Sequence, residues 1–126
     1  MFVFFKIGTN INFANDQVQD TVLIYSETPV ATVTYRGAAV DGAWISPWDN
    51  VPDHGNWVFD EEQAVYTATD NTPLTVVIPQ GQERTLTFNV GPNEGSVRVE
   101  LDGETLSFDL KQAETVELGL PFLLPA

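Results

Sequence analysis

The chain has 126 residues, no cysteine and a formal net charge of -13, because 18 acidic residues outnumber five basic ones. This length fits a single domain, residues 1–126, that can bury a real core without disulfides. The negative charge disfavours nucleic acid and anionic membranes as partners. The sequence shows neither a signal peptide nor an apolar run long enough to span a bilayer, and it assigns no compartment.

The N-terminal third predicts strands. Residues 2–7 are apolar on both alternating faces, which indicates a strand that is covered on both sides. Residues 8–20 are polar and rich in turn formers, so we expect a loop there. β-branched and aromatic residues dominate 21–25 and 31–35, and they predict two strands that form a hairpin with a short loop.

Residues 42–62, here called the tryptophan-rich segment, interrupt this strand pattern. The segment holds all three tryptophans and the single histidine, His54. Pro47 and Pro52 argue against a continuous helix or a central strand. The sequence therefore predicts one long loop here and no helix anywhere in the chain.

Strand patterns resume near residues 57–60, 64–69 and 74–78, and alternation is clearest in the C-terminal third. The Asp102-Gly103 pair favours a type I′ turn that would pair Val99 with Leu106 and Val97 with Phe108. Residues 115–118 predict a further strand. With about eight to ten short strands, we expect an all-β fold, an antiparallel two-sheet β-sandwich that is Ig-like or jelly-roll-like.

Both ends of the chain, residues 1–6 and 119–126, are more apolar than a self-contained domain needs. Such ends suit strand exchange or docking into a neighbouring subunit, although burial in the domain's own core is the alternative. The candidate assembly residues are Phe2, Phe4, Phe5, Leu120, Phe122, Leu123 and Leu124.

Catalytic schemes lack partners in this sequence. His54 is the only histidine, and the nearby Ser46 is not in a nucleophile-elbow context. Carboxylate pairs are numerous and therefore unspecific, so we expect no enzyme and no cofactor. Calcium is the one metal to consider, with Asp49, Asp53 and Asp60 as candidate ligands, but no EF-hand spacing is present.

The tryptophans suit three roles: core packing, stacking on sugar rings, or anchoring a protein interface. The candidate partner or ligand residues are Trp44, Trp48, Asp49, Asn50, Asn56 and Trp57. We expect a non-enzymatic structural protein that forms a homo-oligomer or docks on a larger assembly, with a virion decoration or cement protein as one setting. The alternative is a carbohydrate-binding module that uses Trp48 and Trp57, with or without calcium.

Overall fold

The computed structural model describes residues 19–27 and 32–125, which form ten strands and one four-residue helix. In chain order they are β1 (Gln19–Ser26), β2 (Thr34–Val40), β3 (Ala43–Ile45), α1 (Pro47–Asn50), β4 (Val58–Asp60), β5 (Val65–Thr67), β6 (Leu74–Pro79), β7 (Arg84–Phe88), β8 (Ser96–Leu101), β9 (Glu104–Asp109) and β10 (Leu120–Leu123). The predicted strand at residues 2–7, with Phe2, Phe4 and Phe5, lies outside the described residues.

The strands form two sheets. The four-stranded sheet has the order β6-β1-β8-β9, and the six-stranded sheet has the order β10-β7-β2-β5-β4. Strand β3 pairs with residues 38–40 of β2, on the same edge as β5 but further along the strand. All pairs of named strands are antiparallel. The predicted antiparallel two-sheet sandwich is therefore confirmed.

One hydrophobic core lies between the two sheets. Alternate residues of each strand point into it, as the period of two along a strand requires. The four-stranded sheet contributes residues such as Val22, Ile24, Val76 and Val99, and the six-stranded sheet contributes Tyr35, Ala38, Leu86 and Phe88. All of these side chains are fully buried.

The predicted hairpin in the C-terminal third is confirmed in its register. Val99 pairs with Leu106 and Val97 pairs with Phe108. Asp102 and Gly103 both have positive φ, 52° and 80°. A type I′ turn requires positive φ at both of its central residues, which explains why this dipeptide joins β8 to β9.

Four local expectations are wrong. The strands predicted at residues 21–25 and 31–35 do not form a hairpin, because β1 lies in the four-stranded sheet and β2 lies in the six-stranded sheet. The predicted strand at residues 115–118 is irregular chain that ends in a turn, because Leu118 and Gly119 both have positive φ and leave the extended conformation. The tryptophan-rich segment is not one loop, since it contains β3 and the short helix α1, and the expectation that the chain has no helix is wrong for the same reason. Strand β4 confirms the strand predicted near residues 57–60. Helix α1 forms because Ser46 accepts a hydrogen bond from the Trp48 backbone as N-cap and Pro47 suits the first helical turn.

The apolar C-terminal end is divided between the inside and the outside of the sandwich. Phe122 and Leu120 pack against the core and Leu124 is buried, whereas Leu123 points outward and is exposed. Because alternate residues of a strand face opposite sides, only half of this end is available to a partner. The expectation that Leu120, Phe122 and Leu124 serve assembly is corrected, since they complete the domain's own core.

Replacing Leu86 with alanine should lower the free energy of unfolding by about 2–5 kcal/mol, because it opens a cavity in the core. Leu123→Ala is the matched control, since Leu123 lies on the neighbouring strand but is 61% exposed. We expect the control to change stability by no more than about 0.5 kcal/mol. Urea unfolding of dilute protein measures both, and equal losses would contradict the assigned facing of β10.

Candidate functional site

The tryptophan-rich segment runs along the edge of the six-stranded sheet and separates its three tryptophans. Trp57 is buried, whereas Trp44 and Trp48 are 57% and 64% exposed. Large aromatic side chains are mostly buried in folded proteins, so two exposed tryptophans in one segment identify the candidate contact region.

Trp57 anchors the segment to the sandwich. Its side chain is 2% exposed, and its indole Nε1 donates a hydrogen bond to the carbonyl oxygen of Thr72 at 2.8 Å. The expectation that Trp57 offers its indole to a sugar is therefore wrong, because both the ring and its polar atom are already committed inside the protein.

Asn50 is the second anchor. Its side chain is buried, and its Nδ2 donates to the Tyr35 hydroxyl at 3.0 Å. Burial raises the pKa of Tyr35 far above its ordinary value, although the bond from Asn50 acts in the opposite direction. Asn50 is thus unavailable to a ligand, which corrects its prediction as a binding residue.

An aromatic row joins the segment to the core side of β4 and β5. The Trp48 ring meets Phe59 edge-on with centroids 4.7 Å apart, and Phe59 lies 4.7 Å from Tyr66. His54 stacks on Tyr66, and its Nδ1 lies 3.1 Å from the Trp57 carbonyl oxygen. Trp48 is therefore a fixed projection that Phe59 supports from one side.

Trp44 lies on the opposite, outer side of the six-stranded sheet. It pairs with Ala39 of β2, and its ring packs against Gly37. A Cβ atom at Gly37 would lie 2.5 Å from Cζ2 of Trp44, and the φ of Gly37 is +142°. Only glycine suits this position, which lies at a register shift between β2 and β7, and it lets the indole lie directly on the backbone.

Beside Trp44 is a groove of about 430 Å³, here called the Trp44 groove. Its lining includes Arg36, Trp44, Pro47, Thr87, Leu118 and Pro121. The Arg36 guanidinium borders it and donates from Nη1 to Asn89 Oδ1 at 2.9 Å. The sequence analysis did not single out Arg36 or Leu118, which is 70% exposed. The available signal for Arg36 was a solitary arginine beside a glycine in a strand-like run.

The outer face of the six-stranded sheet connects Trp44 to the C-terminal end. Cross-strand partners share a face, and the pairs Trp44–Ala39, Ala39–Thr85 and Thr85–Leu123 form one row across β3, β2, β7 and β10. This outer row has a large exposed apolar side chain at each end. The structure therefore brings one predicted tryptophan and one predicted assembly residue onto the same surface.

The acidic residues of the segment mainly cap turns. Asp53 Oδ1 accepts from the Gly55 backbone at 3.0 Å, and Asp60 Oδ1 accepts from the Glu62 backbone at 2.9 Å. Asn56 donates to Asp70 at 2.8 Å. Within residues 19–27 and 32–125, no three His, Asp or Glu side chains gather as a metal site. The structure does not bring Asp49, Asp53 and Asp60 together as calcium ligands.

The class of protein that these features define is an antiparallel β-sandwich with a structured edge segment and an exposed apolar outer row. The chain matches no protein-family model, no curated protein and no solved structure at a significant level. In the part of the chain that the structure describes, no helix has the length and apolar character needed to cross a membrane.

Asn50→Ala should lower the free energy of unfolding by about 1–3 kcal/mol, because the buried Tyr35 hydroxyl loses its hydrogen-bond donor. Asn56→Ala is the matched control, since Asn56 lies in the same segment but its bond to Asp70 is exposed. We expect the control to cost less than about 1 kcal/mol. Chemical unfolding with near-UV circular dichroism tests both, and similar losses in both variants would contradict the anchoring role of Asn50.

Proposed function

We propose that the protein is a non-enzymatic interaction protein that associates with copies of itself, or docks on a larger assembly, through the outer face of its six-stranded sheet. The observation that carries the proposal is the outer row, which has Trp44 at one end and Leu123 at the other. Leu118 adds a third exposed apolar side chain beside the Trp44 groove. A virion surface is one setting for such a protein.

The composition of this face suits an interface. Tryptophan is enriched among the residues that carry binding energy at protein contacts. Because the Trp44 ring already packs on Gly37, little conformational freedom remains for it to lose when a partner binds. The smaller Ala39 and Thr85 between the two ends leave the middle of the row low enough for close approach.

The edge of β10 suits partner binding less well than the outer face of the six-stranded sheet does. The Leu124 backbone N–H donates to the Arg84 carbonyl oxygen at 2.8 Å. Because backbone groups alternate along a strand, those of Phe122 and Leu120 also point toward β7. Pro121 then faces the other edge of β10, which pairs with no other described strand, and it has no N–H to offer there. A partner strand would find few donors there, which favours association through side chains.

Trp44→Ala and Leu123→Ser should each weaken self-association at least tenfold, because each removes one end of the outer row. Raising the salt concentration should strengthen association of the wild type, because salt screens the repulsion between chains of net charge -13. Sedimentation velocity over a concentration series measures both effects.

The control for this experiment is Val77→Ser. Val77 alternates with the core residues Val76 and Ile78 on β6, so it lies on the outer face of the four-stranded sheet, away from the outer row. The proposal would be contradicted if the wild type stayed monomeric at every concentration. It would also be contradicted if the control variant associated as weakly as Trp44→Ala and Leu123→Ser do.

Carbohydrate binding is the second candidate, with Trp44 as the platform in place of Trp48 and the buried Trp57. The observation that favours it is an indole that is fixed on one side and borders a groove with polar groups from Arg36, Ser46 and Gln63. Sugars stack their apolar faces on such rings while hydroxyls bond to polar neighbours.

If this candidate is correct, titration with neutral and acidic oligosaccharides should change the tryptophan fluorescence of the wild type. The Trp44→Ala variant should lose that response, and Trp48→Ala should keep it, because Trp48 lies on the other side of the sheet. A wild type that responds to no sugar removes this candidate.

A further inference from the structure

The Trp44 groove combines apolar walls with a positive charge that has no carboxylate partner within residues 19–27 and 32–125. Among the described residues, Arg84 pairs with Asp20 and Arg98 pairs with Glu100. Arg36, in contrast, has the neutral amide of Asn89 as its only side-chain partner in this part of the chain. In a chain with 18 acidic residues, an unpaired guanidinium in an apolar groove favours an occupant that is apolar with one negative group.

The same chain exposes a projection with that chemistry. Trp48 is the most exposed of the three tryptophans, and the carboxylate of Asp49 is exposed beside it. The projection is rigid, because Ser46 caps α1, Phe59 supports the Trp48 ring and Asn50 ties the end of the helix to Tyr35. A preorganised indole loses little entropy on binding.

Trp48 does not fill the groove of its own chain. Its ring is held against Phe59, which pairs with Tyr66, and Tyr66 pairs with the core residue Tyr35. Trp48 therefore lies on the core side of the sheet, whereas Trp44 lies on the outer side. An indole that reaches the groove must come from another molecule.

We infer that the occupant of the Trp44 groove is a second copy of this chain, which inserts Trp48 between Trp44 and Leu118 and places Asp49 against Arg36. This inference rests on the proposed self-association and names the contact that produces it. Pro47 lines the groove and immediately precedes Trp48, so each projection lies beside its own groove. A two-fold axis between them exchanges the two projections and closes the assembly as a dimer.

Charge reversal provides the test. Arg36→Glu alone places two acids together at both contacts of the dimer, and Asp49→Arg alone places two guanidinium groups together. We expect each variant by itself to associate at least tenfold more weakly than the wild type. An equimolar mixture of the two variants restores an attractive pair at both contacts, so the mixed dimer should form about as tightly as the wild type.

Two further variants complete the design. Trp48→Ala should weaken association at least tenfold, because it removes the inserted ring. Asp53→Arg changes the net charge as much as Asp49→Arg does, and it lies in the same segment. It should not rescue Arg36→Glu in a mixture, which separates a specific pair from a general effect of charge. Circular dichroism and thermal unfolding of each variant check that the fold is retained.

The outcomes separate the inference from the proposed function. A wild type that is monomeric throughout overturns both. Association that persists in Trp48→Ala, or charge-reversed variants that fail to rescue each other, overturns only this inference and leaves the outer face in contact with something else. If the groove binds a saccharide while the protein stays monomeric, the site belongs to the second candidate, carbohydrate binding. That outcome also overturns this inference.

Discussion

The structure of the tryptophan-rich segment depends on one buried hydrogen bond, from the Asn50 amide to the Tyr35 hydroxyl. Tyr35 lies on β2, the strand that pairs with β3, β5 and β7, and its ring contacts Phe88 in the core. A buried polar group without a partner is costly, so this bond holds α1 against the sheet more firmly than apolar contact alone would. The two side chains that α1 exposes, Trp48 and Asp49, are therefore presented from a fixed position.

The bond also decides which aromatic rings are available. With α1 fixed, Trp48 covers Phe59 and His54 covers Tyr66, which closes the core side of β4 and β5. Trp57 is buried, and its indole N–H already donates a hydrogen bond to the Thr72 carbonyl oxygen. Trp44 and Trp48 are the two tryptophans that remain exposed, one on each side of the sheet. The segment is thus a support that presents two indoles.

Local patterns predicted the fold because strand alternation and turn chemistry act over a few residues. The Asp102-Gly103 turn sets the register of Val97 against Phe108 without reference to the rest of the chain. The site was predicted only in part, because burial of Trp57 and Asn50 depends on Thr72 and Tyr35, each 15 residues away. Alternation separates Leu123 from Leu124, but only the pairing of β10 with β7 shows which of them faces the core.

The strong negative charge and the exposed apolar row act together rather than in conflict. Repulsion between chains of net charge -13 opposes random encounters, and Pro121 removes a donor from the edge of β10 that no described strand pairs with. Under the proposed association, the contact must therefore combine apolar burial with a negative group that meets one of the few cations. Arg36 beside Trp44 offers both conditions, so the acidity that disfavours random contacts would also make the proposed contact selective.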